Sequence, residues 1–141
     1  MAYSIRSDVD LIYGRRNVDK WADLDNAGTQ AIIDARVTWA IALADAEIDS
    51  ELSGTSYAVP FTGTIPTLIK DLSARLAGVY LYDGRRLGDE EESTDQVRLH
   101  RKICAKRVKR IIAGQQVIAG VTRAVNSTPE YTDATLSTVE S

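Results

Sequence analysis

Apolar residues recur at intervals of three and four through Ile33, Val37, Ile41, Ala44, Ile48 and Leu52, which places them on one face of an α-helix. This pattern predicts a long helix from a Thr29 cap to about Leu52, stopped at Gly54. Asp34, Arg36, Asp45 and Asp49 fall largely off the apolar stripe. The segment 53–65 is rich in Gly, Ser, Thr and Pro and reads as a loop with an apolar insert, Tyr57-Ala58-Val59-Pro60-Phe61. Pro66 suits the first position of a second long helix, about 66–83, with Ile69, Leu72, Leu76, Val79 and Tyr80 on one side and a glycine stop at Gly84. Ser93 or Thr94 caps a third, which runs to about Ala113 and closes at Gly114. Its inner face is Val97, His100, Cys104, Val108 and Ile111, widened by Leu99, Ile103 and Ile112.

Two shorter helices precede these. Ser7-Asp8-Val9-Asp10 looks like a capped start ending at Gly14, and Asn17 is placed to cap a turn through Trp21 and Leu24. From Gln115 onward Ser and Thr become dense and Pro129 breaks any helix. Val117, Ile118, Val121, Val125 and Tyr131 are the apolar anchors of an extended arm, with room for a little strand, that alone cannot bury enough surface to offset its ordering entropy. The expectation is an all-α protein: a small bundle of three long and two short helices over residues 1–114, and an extended arm over 115–141 that a partner or neighbouring subunit holds down.

Composition narrows the class. A chain of 141 residues is one domain, able to bury roughly two-thirds of its unfolded surface. No apolar run approaches the roughly 20 residues that span a bilayer, so no membrane association is expected. The N-terminus lacks a signal-peptide pattern, which predicts folding in the cytoplasm. Cys104 is the single cysteine, so no internal disulfide or multi-cysteine metal site forms. The net charge of −3 conceals an asymmetry: residues 1–95 hold nine Lys/Arg against seventeen Asp/Glu, and residues 96–141 eight against three. Such a dipolar chain can meet copies of itself head to tail.

Candidate chemistry is sparse. Asp23, Asp25, Gly28 and Asp34 have a faint calcium-loop cadence, but Ala27 supplies no oxygen where a ligand belongs, and an acidic turn with a helix cap is favoured. The basic run Arg98, Arg101, Lys102, Lys106, Arg107, Lys109 and Arg110 reads first as a solvated face that suits a helix C-terminus, second as a subunit contact, and third as a nucleic-acid stripe. It lacks the interleaved aromatics of a single-strand binder. His100 has no nucleophile or orienting carboxylate that the sequence brings to it, and it reads as a packed histidine, as Cys104 reads as core. Asp45 and Asp49, four apart, fit an acidic face meeting a neighbour's cations, together with Asp34 and Glu51. Trp21 and Trp39 suit core or interface anchoring equally. No catalytic group and no cofactor is expected.

Several motifs in order resemble one known family. These are Met1-Ala2-Tyr3 with Asp8-Val9-Asp10; Trp21-Ala22-Asp23-Leu24-Asp25; Ala40 to Leu52; Tyr57-Ala58-Val59-Pro60; Ile65-Pro66; and Leu76-Ala77-Gly78-Val79-Tyr80-Leu81-Tyr82. Over residues 1 to about 114 the chain is similar to the Mu-like phage head-completion family of head–tail connector (adaptor) proteins. The resemblance implies a structural virion protein located in the neck and assembled in the host bacterial cytoplasm. It implies a homo-oligomeric ring, commonly a dodecamer, that binds the portal protein, extends the DNA channel without reading sequence, and docks the next neck or tail protein. In the ring the acidic face would meet a neighbour's basic helix. The reading from another class is a small helical DNA-binding or regulatory protein that uses residues 98–110.

Overall fold

The computed structural model describes residues 2–86 and 95–120. Among the described residues there are five α-helices and no strand: α1 Arg6–Tyr13, α2 Arg15–Ala22, α3 Gln30–Leu52, α4 Thr67–Arg86 and α5 Asp95–Ile112. The described residues are therefore all-helical in their regular structure, as the periodicity predicts. Beyond residue 120 the expected arm, with Val121, Val125 and Tyr131, lies outside the described residues.

α4 is the axis of the bundle. It packs most extensively on α3, then on α5, α1 and α2, whereas α3 and α5 meet only marginally. Its interior positions alternate bulk with small residues. Ile69, Leu72, Leu76, Val79 and Leu81 are buried beside Ser73, Ala74, Ala77 and Gly78. A Cβ at Gly78 would overlap the ring of Tyr13, so the glycine is what lets α1 lie against α4. The Tyr13 hydroxyl donates to the Arg75 carbonyl at 2.6 Å, and its ring meets Trp21 edge-on at 5.4 Å. Trp21 in turn meets Tyr82 at 5.2 Å, so one aromatic chain ties α1, α2 and α4 together.

Three local expectations are corrected. Ser7 does not start α1; Ile5 is the N-cap residue, and the Asp8 carboxylate accepts from its N–H at 2.9 Å. Asn17 does not cap α2. Its amide donates instead to the Tyr13 carbonyl at 2.9 Å, closing the end of α1, while Gly14 at φ 92 joins the two helices. Gly84 does not stop α4, which continues to Arg86. Arg85, in the added turn, donates to the Asp23 carbonyl at 2.6 Å and to Asn26 Oδ1 at 3.0 Å, ties that outweigh the roughly 1 kcal/mol a helical glycine costs.

The loop before α4 folds inward. Tyr57 and Phe61 are buried, and Tyr3 meets Phe61 edge-on at 5.6 Å. Ile118 corrects the placement of the arm. It is fully buried, and its N–H donates to the Tyr57 hydroxyl at 3.0 Å, so it packs into this chain's own core. Val117 beside it is 61% exposed.

Two stability tests follow from this packing. Gly78→Ala should lower stability by about 1–3 kcal/mol through overpacking, and combining it with Tyr13→Leu should cost less than the sum of the two single changes. Ile118→Ala should cost about 2–4 kcal/mol in denaturant unfolding, whereas Val117→Ala should change little.

Candidate functional site

The carboxylates predicted to form a free acidic face are largely used within the chain. Asp45 accepts from the Tyr3 N–H at 3.0 Å and from the Ser73 hydroxyl at 2.6 Å. Asp49 accepts from the Tyr3 hydroxyl at 2.5 Å, and that oxygen accepts from the Phe61 N–H at 2.8 Å. Ser4 and Ser73 share a buried hydroxyl contact of 2.7 Å. The N-terminal segment is thereby sewn onto α3, α4 and the loop. Burial pushes the Asp45 carboxyl upward from its ordinary range, against the lowering effect of its Ser73 and Tyr3 hydrogen bonds. Asp34 is 55% exposed and accepts from Gln30 and Arg6, each at 2.9 Å, which hold its carboxyl below the usual range. Arg6 also reaches Asp10 and Asp19. Glu51 is exposed. The expected acidic face is corrected accordingly: Asp45 and Asp49 are tethers, Asp34 is shared with Arg6, and Glu51 faces solvent.

The basic run divides in the same way. Arg107 pairs with Asp71, which Arg75 also holds at 2.7 Å, and Arg101 pairs with Asp83. Arg107 is thus a half-buried link between α5 and α4 and not part of a free face. Arg98, Lys102, Lys106, Lys109 and Arg110 are exposed. His100 sits against Tyr13 at 4.7 Å between ring centroids, and Arg75 Nη1 lies 2.6 Å from its Nδ1. Burial, then the Arg75 charge, lowers its pKa; Asp71 opposes. Cys104 is buried and its thiol is pushed up to about 12 by burial, which keeps it from being a thiolate nucleophile at neutral pH.

The turn after α2 is closed from within. Asp23 accepts from the Ala27 and Gly28 N–H groups at 3.0 and 2.9 Å, and the Arg85 guanidinium takes the carbonyl oxygens of Lys20 and Asp23. Of the carboxylates that gave the turn its calcium-like cadence, Asp23 is therefore taken by the turn's own N–H groups and Asp34 by Gln30 and Arg6. Among the described residues no group of three or more His, Cys, Asp or Glu is placed to hold a metal ion, and no helix is long and apolar enough to cross a membrane.

What sequence reasoning missed lies on the outer side of α3. Trp39 is not core: it and Ile32 are each 49% exposed, and Ala35, Ala42 and Ala46 are exposed beside them. Between this side and the N-terminal segment runs an open groove of about 560 Å³, lined by Ser4, Ile5, Thr38, Ala42, Ala46 and Asp49. A signal was present: Ile32, Ala35, Trp39, Ala42 and Ala46 repeat at intervals of three and four, a second apolar stripe on the helix that carries the core stripe. The Tyr3 anchor had no such signal.

These features define a small helical packing unit whose titratable groups chiefly fasten its elements to one another. Residues 3–136 match the family model described as Bacteriophage Mu, Gp36, and the chain belongs to that phage protein family. Comparison with curated proteins finds no match.

The environment of His100 sets a pH dependence. Its folded-state pKa lies below the unfolded value of about 6.5, so its contribution is complete above that value and is lost as the pH falls through it toward the depressed folded value. Melting temperature should therefore fall between about pH 7.5 and pH 5.5, and His100→Gln should flatten that fall. An unchanged slope in the variant would assign the pH dependence to other groups.

Proposed function

We propose that the chain is a structural subunit of the phage particle without catalytic activity: a head–tail connector that forms a ring beneath the portal, extends the DNA channel and presents a surface for the next neck or tail protein. Membership of the Mu Gp36 family supports a phage role. The observation that carries the connector reading is the separation of charge across α4. α3 holds five carboxylates against one cation, whereas α5 holds seven cations against one carboxylate. The two helices flank α4 and barely touch each other. A subunit with unlike flanks associates head to tail, and a head-to-tail contact closes into a ring when its rotation permits. The in-chain pairs of Arg101 and Arg107 reduce this dipole without removing it, because Lys102, Lys106 and Lys109 remain exposed. In this reading DNA passes through the ring without sequence-specific contact.

The test is the mass of the cognate portal assembly alone and mixed with this chain. The expected result is a stable gain of about one copy per portal subunit, as symmetric stacking of rings requires. If the chain ignores the portal and instead is retained on duplex DNA in a salt-sensitive way, α5 is a nucleic-acid stripe and the connector reading fails.

A further inference from the structure

α5 is the peripheral helix of the bundle: it seats on α4 and meets α3 only marginally. Val97, Cys104, Val108 and Ile111 bury its inner side. Three of its polar ties lead to α4. Arg101 pairs with Asp83 and Arg107 with Asp71. The Arg75 guanidinium stands between Asp71, 2.7 Å from its Nε, and His100 Nδ1, 2.6 Å from its Nη1. An arginine only donates, so Nδ1 accepts here and the ring proton sits on Nε2. This bond exists for the neutral imidazole alone. Among the described residues, the titratable and charged groups about the ring are Tyr13 from α1, edge-on at 4.7 Å, and Arg75 and Asp71 from α4. From α5 itself come Cys104, one turn on, and Arg107, which reaches the same Asp71. Burial raises both the Tyr13 hydroxyl and the Cys104 thiol, so neither carries negative charge at neutral or acidic pH. Asp71 is the carboxylate of this set, and two guanidiniums already share it.

We infer that His100 is a proton-operated fastening: neutral, it holds α5 on α4, and protonated, it releases this helix while the rest of the bundle stays packed. A proton on Nδ1 removes the acceptor of the Arg75 bond and sets imidazolium against guanidinium, with one shared carboxylate to offset three cations. The restriction to α5 follows from the packing. α1, α2 and α3 each meet α4 directly, and Tyr13 keeps its bond to the Arg75 carbonyl and its place over Gly78 whatever the charge on His100. Release moves the helix that carries the exposed Lys102, Lys106 and Lys109, so the placement of that basic side depends on the proton. The device stands on the seating of α5 and holds whether or not the chain is a connector. Opening returns His100 to its unfolded value of about 6.5. Protonation can therefore favour the open form at pH 5.5 over pH 7.5 by at most about tenfold.

Hydrogen exchange on the full chain at pH 7.5 and 5.5, read helix by helix after correction for intrinsic rates, tests it. Amides of α5 should open severalfold more at pH 5.5, up to that ceiling, while buried amides of α1 to α4 change little. His100→Gln should abolish the difference. Arg75→Met keeps the length of the side chain but removes its donor and its charge. It should shrink the difference and move the titration of the sole histidine, followed by proton NMR, up toward its ordinary value. Circular dichroism melts check that both variants fold. Equal protection of α5 at the two pH values overturns the inference, as does a loss spread evenly over all five helices. So does acid opening of α5 that persists in His100→Gln. Loosening confined to residues 2–5 and α3 would assign the acid response to Asp45, which holds Tyr3, and would likewise overturn the role of His100.

Discussion

A helix packed on several sides has little room for charge or bulk, and α4 meets that constraint with size. Ser73, Ala74, Ala77 and Gly78 stand where neighbours come closest, while Leu72, Leu76 and Val79 fill the space between. Gly78 admits the Tyr13 ring, and through Tyr13 the whole of α1 and the aromatic chain to Trp21 and Tyr82 find their places. Ser73 does the equivalent for the N-terminal segment, with its hydroxyl between Ser4 and Asp45. The seating of α1 and of the N-terminal segment depends on these two small residues. It also fixes which sides of α3 and α5 remain outside.

The polar groups follow from that packing. Asp71 holds Arg75 within α4 and Arg107 from α5, so one carboxylate joins two helices. Asp45 and Asp49 join α3 to a segment that precedes every helix. Such half-buried, hydrogen-bonded charges resist loss of a partner more strongly than surface pairs do, because removal leaves an unmet polar group. They fasten the unit and also reduce the charge available to a neighbour. The cations and carboxylates left outside then act at long range, steering and orienting more than binding.

The helices were legible because their core stripes are regular: Ile33 to Leu52, Ile69 to Tyr80 and Val97 to Ile111 point inward as their spacing predicts, save that Tyr80 and His100 are only half-buried and that Leu99 and Ile112, expected to widen the inner face of α5, are exposed. What spacing could not reveal was long-range partnership. Asp45 and Asp49 look the same in sequence as solvated acids, and only the approach of Tyr3, more than forty residues earlier, makes them tethers. Ile118 looked like an arm residue because nothing local buries it; Tyr57, far back in the chain, does. Gly84 looked like a stop because its local cost is real, yet Arg85 finds carbonyls on the turn after α2. Trp39 was ambiguous for a different reason. Its helix is apolar on two sides, and periodicity alone does not say which side meets the core.

That two-sidedness bears on assembly. A helix with a core stripe needs no second one for the fold, and holding Trp39 and Ile32 half in water is unfavourable for an isolated chain. The outer stripe is also short, about 21 Å from Ile32 to Ala46, so a contact built on it falls near the small end of specific interfaces, below the roughly 800 Å² per partner of the standard size. One such contact would then be weak. Closure changes the balance, since in a ring the last copy makes two contacts while losing its freedom of motion once.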